Sequence, residues 1–165
     1  MDLQIRFAVP DDAETIHRFI VALAEYEREP GAVSCTPEDL RRQMSSARPP
    51  FECLLAERHG HALGFALFFH TYSTWRGKQG IFLEDLFVPP QHRGQGVGKR
   101  LLVALARLAV ERDCPRLEWS VLDWNVSAID FYESLGARAL PEWIHYRLTD
   151  APLAALGNEG KMGAS

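Results

Sequence analysis

The stretch from Ile81 to Leu108 constrains the fold more than any other part of the chain. It opens with a β-prone, mostly apolar run, Ile81-Phe82-Leu83-Glu84-Asp85-Leu86-Phe87-Val88, interrupted by two acids. Pro89-Pro90 ends that strand, because proline has no N–H to donate to a ladder. Gly94, Gly96 and Gly98 then permit a close turn of bare backbone. From Val97 onward the apolar residues recur at Leu101, Leu105 and Leu108, with Leu102 and Ala109 beside them, which is a helical stripe. A helix N-terminus has unpaired N–H groups and partial positive charge, so a strand–turn–helix of this kind suits phosphate. Arg93, Lys99 and Arg100 add positive charge at the same point.

Three phosphate-binding patterns compete for this turn. A Walker loop requires Gly-Lys followed by Ser or Thr, and here Gly98-Lys99 is followed by Arg100. A dinucleotide fingerprint requires a third glycine where the chain has Lys99. The pattern that fits is Arg-x-x-Gly-x-Gly, at Arg93, Gly96 and Gly98. For the loop taken alone, an ordinary strand-to-helix turn is the competing explanation.

Length and charge narrow the field. At 165 residues the chain is long enough for one domain with a sizeable core. A net charge of -4 argues against a nucleic-acid binder, which carries a basic surface, and is compatible with a cationic small substrate. Cys35, Cys53 and Cys114 are odd in number and lack C-x-x-C spacing, so neither a disulfide framework nor a zinc site is indicated. The histidines show no metal-ligand spacing, and no metal is expected. No run approaches the roughly 18 apolar residues of a membrane span, and the N-terminus lacks a signal-peptide layout. The expectation is a soluble, reduced, cytoplasmic protein with no membrane partner.

Along the chain, Leu3 to Phe7 alternates as a short strand. Asp11 and Glu14 have capping-box spacing before an apolar stripe of Ile16, Phe19, Ile20 and Leu23, which predicts a helix over about 12–27. Thr36-Pro37-Glu38-Asp39 starts a second helix, ending near Ser45. Residues 51–57 and 62–70 form a predicted hairpin, followed by a surface loop over 71–80. After the central unit come a strand over 117–122, a helix over 126–135 between Asn125 and Gly136, and a last strand over 143–148. Residues 1–150 are expected as a single domain, with 151–165 as a flexible, fraying tail.

A second motif bears on the first. Asn125-Val126-Ser127-Ala128-Ile129-Asp130-Phe131-Tyr132-Glu133-Ser134-Leu135-Gly136-Ala137 follows the glycine turn. With Arg93-x-x-Gly96-x-Gly98 before it, the pair resembles the motifs of the GNAT superfamily of N-acetyltransferases. Leu23-Ala24-Glu25-Tyr26-Glu27, and Tyr72-Ser73-Thr74-Trp75-Arg76-Gly77-Lys78 leading into Leu83-Glu84-Asp85-Leu86, resemble its spermidine/spermine branch, which includes thialysine acetyltransferases. The resemblance covers roughly residues 3–148.

That resemblance implies an α/β (α+β) fold: a mixed, mostly antiparallel six- to seven-stranded sheet, splayed in the middle and flanked by about four helices. It implies acetyl-CoA as co-substrate, with pantetheine against Phe87 and Val88 and pyrophosphate on the turn of Gly94, Gln95, Gly96, Val97, Gly98 and Lys99, Arg93 being its charged partner. A bulge near Asp85 to Phe87 would leave a backbone N–H for the thioester oxygen. Tyr132 would protonate the departing thiolate, since a phenol stays protonated at neutral pH; as a residue of a helical stripe it also suits simple packing. Glu84 would act as base through a water, or be a structural carboxylate; alternation puts Glu84 and Asp85 on opposite faces. Asn125 would bond the pantetheine, cap its helix, or both. Tyr26, Glu27, Trp75, Glu84 and Asp85 would form the amine pocket, aromatic and acidic to suit an ammonium. The branch also implies a homodimer. The implied activity is acetyl transfer to a primary amine of a small cationic substrate, such as a polyamine or thialysine. A protein or peptide acceptor, or a non-catalytic acyl-CoA-binding module, stays open at this point.

Overall fold

The structure, a computed structural model, describes residues 2–159. The chain packs as two compact units, Met1–Leu122 and Asp123–Ser165.

The first unit is a five-stranded mixed sheet with three helices. Its strands are β1 (Gln4–Phe7), β2 (Glu52–Arg58), β3 (His61–Ser73), β4 (Lys78–Phe87) and β5 (Leu117–Trp119), side by side in that order. The pairings are antiparallel from β1 through β4, and β5 joins β4 in parallel. Helices α1 (Ala13–Tyr26) and α2 (Pro37–Met44) cover one face, and α3 (Val97–Glu111) packs on β2, β3 and β4. Period-two side chains sort the core. Cys53, Leu55, Phe65, Leu67 and Phe87 share a cluster with Ile16, Phe19, Leu23 and Leu40, with Phe19 stacked on Phe65 at 5.5 Å between ring centres. The stripe on α3 is buried at Val97, Leu101, Leu102, Leu105 and Ala109.

Local chemistry sets the helix starts. At α2, the Asp39 N–H donates to Thr36 Oγ1 at 3.2 Å and the Thr36 N–H donates to the Asp39 carboxylate at 3.0 Å, a reciprocal box ahead of Pro37. Before α1 the expected Asp11–Glu14 pairing is replaced by one two residues earlier. The Asp12 carboxylate takes the Val9 N–H at 2.8 Å, and the helix begins at Ala13.

The expected surface loop over 71–80 is mostly hairpin. Thr71 pairs with Gly80, Tyr72 with Gln79 and Ser73 with Lys78, leaving only the turn between. Gly80 permits that pairing, since a Cβ there would stand 2.9 Å from Thr71 Oγ1.

The sheet parts at β4. Leu67 pairs with Asp85 and the next residue, Phe68, pairs with Leu83, so Glu84 is an extra residue in β4. The bulge lies at Glu84, one position before the expected Asp85 to Phe87. On the other edge of β4, β5 pairs only with Ile81, Phe82 and Leu83. Past Leu83, β4 therefore keeps β3 on one side and has no ladder partner on the other among the described residues.

The second unit holds α4 (Val126–Ser134) and α5 (Asp150–Asn158). The expected strand over 143–148 is irregular and exposed, because alternation alone does not make a strand without a neighbour to pair with. Among the described residues the sheet accordingly has five strands rather than six or seven. The expected fraying tail is helical from Asp150 to Asn158, where Ala151, Leu153, Ala154, Ala155 and Leu156 favour helix and Pro152 sits in the tolerant first turn. The rest of that tail, 160–165, lies outside the described residues.

Candidate active site

The glycine turn delivers the chain from β4 into α3 with an open front. Gly96 has φ +76° and stands at the start of the helix, where the left-handed backbone excludes most side chains. No side chain caps α3, and its first turn carries no acid. The first helical bond runs from Arg100 N–H to the Gly96 carbonyl at 3.0 Å, so the amides of Val97, Gly98 and Lys99 precede the ladder and remain available to an anion. A Cβ built on Gly94 or Gly96 would meet nothing within 4 Å. Gln95 accepts a hydrogen bond from Arg58 at 3.1 Å, which ties the turn to the end of β2. These amides and the unpaired edge of β4 after Leu83 fit an extended group ending in phosphate: strand-like pairing along 84–88, then anion capture at the helix.

A glycine outside the recognised motifs lets β3 come close to the end of β4 here. Gly64 on β3 lies so near the end of β4 that a Cβ would stand 2.8 Å from the Phe87 carbonyl oxygen, 3.1 Å from Val88 Cγ2 and 3.4 Å from Val97 Cγ1. A lone glycine inside an apolar strand, Leu63-Gly64-Phe65, is the signal that could have found it.

Three carboxylates gather beside the bulge. Asp85 pairs with Leu67 and shares its face, the one covered by α1. Glu27 follows the last residue of α1. Burial, then the charges of Glu84 and Glu27, push the Asp85 carboxyl up to about 6. Partial desolvation, then Glu84, raises Glu27 as well. Glu84 thus acts electrostatically on both, and strict alternation, which set Glu84 and Asp85 on opposite faces, does not apply across a bulge. Among the described residues none of the three is in an ion pair. Such a cluster is costly to the fold and welcomes a cation.

Arg93 stands close to this pocket. Its Nε donates to the Val88 carbonyl at 2.8 Å, and its guanidinium carbon lies 4.7 Å from the centre of the Tyr26 ring and 5.7 Å from that of Phe87. The structure therefore brings together Tyr26, Glu27, Glu84, Asp85, Phe87, Val88 and Arg93. Trp75 is apart from them in the same chain. It is 86% exposed in the turn beyond β3, and the strand from Lys78 to Glu84 spans about 20 Å at ~3.3 Å per residue.

In the second unit, Asn125 caps α4 by accepting the Ala128 N–H at 3.4 Å, and Gly136 follows the helix with φ +89°. Tyr132 is half-buried on α4, its ring 5.6 Å from that of Phe131. No residue of α4 is fully buried. Among the described residues no cluster of three or more His, Cys, Asp or Glu is arranged to hold a metal.

The chain matches the Acetyltransferase (GNAT) family over residues 17–137. It is 36% identical over 166 residues to a thialysine N-epsilon-acetyltransferase of Sus scrofa, covering 94% of this chain and 97% of that one. It is 32% identical to the L-ornithine N5-acetyltransferase of Arabidopsis thaliana, covering 93% and 87%. Among solved structures, an integron cassette protein from the mobile metagenome of V. cholerae superposes with TM-score 0.81 at 27% identity, over 96% of this chain and 99% of that one. With the open glycine turn, the parted sheet and the match over most of its length, the chain belongs to the GNAT family of N-acetyltransferases.

Proposed function

We propose that this N-acetyltransferase moves the acetyl group of acetyl-CoA to a primary amine of a small cationic substrate, by direct attack in a ternary complex. The observation that carries the acceptor class is the trio Glu27, Glu84 and Asp85, in no ion pair among the described residues and repelling one another at the bulge. An ammonium tail relieves that repulsion, and the nearby Tyr26 adds an aromatic face. Polyamines, ornithine-like and thialysine-like side chains share this chemistry, in keeping with the names of the relatives.

Acetyl-CoA supplies the thioester carbonyl that the amine attacks. The chain's part is to bind and to handle charge. The amides of Gln95 to Lys99 hold the pyrophosphate at the start of α3, and the open edge of β4 at Phe87 and Val88 pairs with the pantetheine, with Asn125 as a further contact. A backbone N–H freed by the bulge at Glu84 stabilises the developing oxyanion. Glu84 takes the proton of the attacking ammonium through a water, while Asp85 and Glu27 hold the distal charge. Tyr132 gives its phenolic proton to the departing thiolate.

A homodimer belongs to the same reading. The resemblance assigns Trp75 to the amine pocket, yet its own chain holds it about 20 Å along the hairpin from Glu84. Both statements hold together when Trp75 serves the pocket of a second copy.

CoA release with spermidine, spermine, thialysine, ornithine, lysine and a basic peptide tests the acceptor class. Turnover on the diamines and amino acids, and little on the peptide, is expected. Release with the peptide alone, or with none, overturns the reading.

A further inference from the structure

Arg93 joins three elements with one side chain. It belongs to the glycine turn, donates through Nε to Val88 at the end of β4, and lays its guanidinium over Tyr26, the last residue of α1. The next residue in the chain, Glu27, is one of the pocket carboxylates. A guanidinium is planar, with N–H groups in its edge and an open face, so it can bond and stack at once. Held through Nε and through its face, it has a fixed plane. Arg28, directly after Glu27, adopts φ +66°, so α1 stops abruptly where the carboxylate must be aimed.

We propose that Arg93 is a positioning residue that couples the cofactor turn to the amine pocket, holding the Tyr26–Glu27 end of α1 against the end of β4. The inference rests on the pocket assignment above and deepens it. Filling the start of α3 with pyrophosphate orders the turn; through Arg93 that order passes to α1 and sets Glu27 for the amine. The family resemblance gives Arg93 to the pyrophosphate instead, and the two roles make opposite predictions.

The amides of Glu27 and Glu29 bond to the Leu23 and Ala24 carbonyls, each at 2.8 Å, so their hydrogen exchange reports the order of this helix end. The test compares the wild-type protein with Arg93→Lys, which keeps the charge and loses the plane and the Nε bond. CoA affinity is measured by calorimetry, and exchange over 23–29 with and without CoA. Where an amine substrate is in hand, KM and kcat follow. The coupling predicts that CoA slows exchange over 23–29 about tenfold in the wild type and not in Arg93→Lys, while CoA affinity changes less than about threefold. It also predicts an amine KM raised about tenfold with kcat nearly kept. Equal slowing in both proteins, or no slowing in the wild type, overturns it. So does a CoA affinity lowered tenfold with the amine KM unchanged. The exchange arm needs CoA alone, so it decides the coupling even if no amine in the panel is acetylated, a result that would sink only the acceptor reading.

Discussion

Asp85 stands opposite Leu67 in the β3–β4 ladder, so a carboxylate shares the sheet face that Leu67, Phe65 and Phe87 line with core side chains. Burial and two like charges raise its pKa from 3.8 to about 6. The folded state thus binds this proton more tightly than the unfolded chain. The stability it confers is whole below pH 3.8 and is lost as pH rises towards 6. Above that the charged Asp85 costs the fold on the order of 1–3 kcal/mol, after discount for its partial access to water. Asp85→Asn is therefore expected to be more stable than wild type at pH 7.5, with the gain fading towards pH 4.5, and to bind the amine at least tenfold more weakly. Denaturant unfolding at the two pH values checks the first part and amine KM the second. A variant less stable at pH 7.5 contradicts the account.

Proton release from the same carboxyl gives a second observable. An ammonium bound beside Asp85 favours its charged form and lowers its pKa. Near pH 6, amine binding should release a fraction of a proton per site from this group, and near pH 8 that release should vanish. Calorimetry in buffers of different ionisation enthalpy reads it. No difference between the two pH values would place the amine elsewhere.

Gly64 and Gly96 predict contrasting outcomes. A Cβ at Gly64 meets the Phe87 carbonyl at 2.8 Å, and backbone does not yield as a flexible side chain would. Gly64→Ala should cost about 1–3 kcal/mol by overpacking and weaken CoA binding by displacing the end of β4. Gly31→Ala, with nothing within 4 Å, is the neutral control. At Gly96 the space is open and only the backbone objects, with φ +76°. Gly96→Val should lose about 1–2 kcal/mol from the left-handed conformation, stay folded, and bind CoA more than tenfold more weakly, because its side chain fills the approach to the helix amides. Melting temperature and CoA affinity, measured on all three variants, separate the two causes. Unchanged CoA affinity in folded Gly96→Val removes the turn as the cofactor site.

Where the sequence was legible, each element announced itself twice. The stripe of α3 and the glycines before it agree on one boundary, and at α4 the Asn125 cap and Gly136 bracket the helix. The bulge lies one residue before the expected position because register belongs to a pair of strands. Nothing within Leu83-Glu84-Asp85-Leu86 says which residue is unopposed until Phe68 is set against Leu83. Residues 143–148 carry a strand-like pattern that needs a partner, and the Ala/Leu segment after Asp150 is made of residues that favour helix. The pocket was legible as residue types and not as geometry. The raised Asp85, the stacking of Arg93 on Tyr26 and the distance of Trp75 from Glu84 all follow from register and burial, which only the folded chain defines.

Tyr132 offers the sharpest test of the chemistry. Thiolate departure gains from a proton as the tetrahedral intermediate collapses, and a phenol is protonated at neutral pH. On α4 the residue is half-buried and its ring lies beside Phe131, so removing only the hydroxyl keeps the ring contact. Tyr132→Phe should leave acetyl-CoA affinity nearly unchanged, because the hydroxyl acts in the transition state. Under conditions where chemistry limits turnover, kcat should fall by about 10²–10⁴. Near-normal turnover would make Tyr132 a packing residue and remove it from the mechanism. Glu84→Gln is the companion. A base that deprotonates the ammonium matters least when the amine is already free, so its deficit should shrink as pH rises towards the pKa of the amine. A deficit that stays constant with pH would mean that Glu84 holds the substrate rather than taking its proton. With both variants in hand, loss of the acid shows as a lowered rate across the pH range and loss of the base as a lowered rate confined to its acid side, so the two steps separate in one set of profiles.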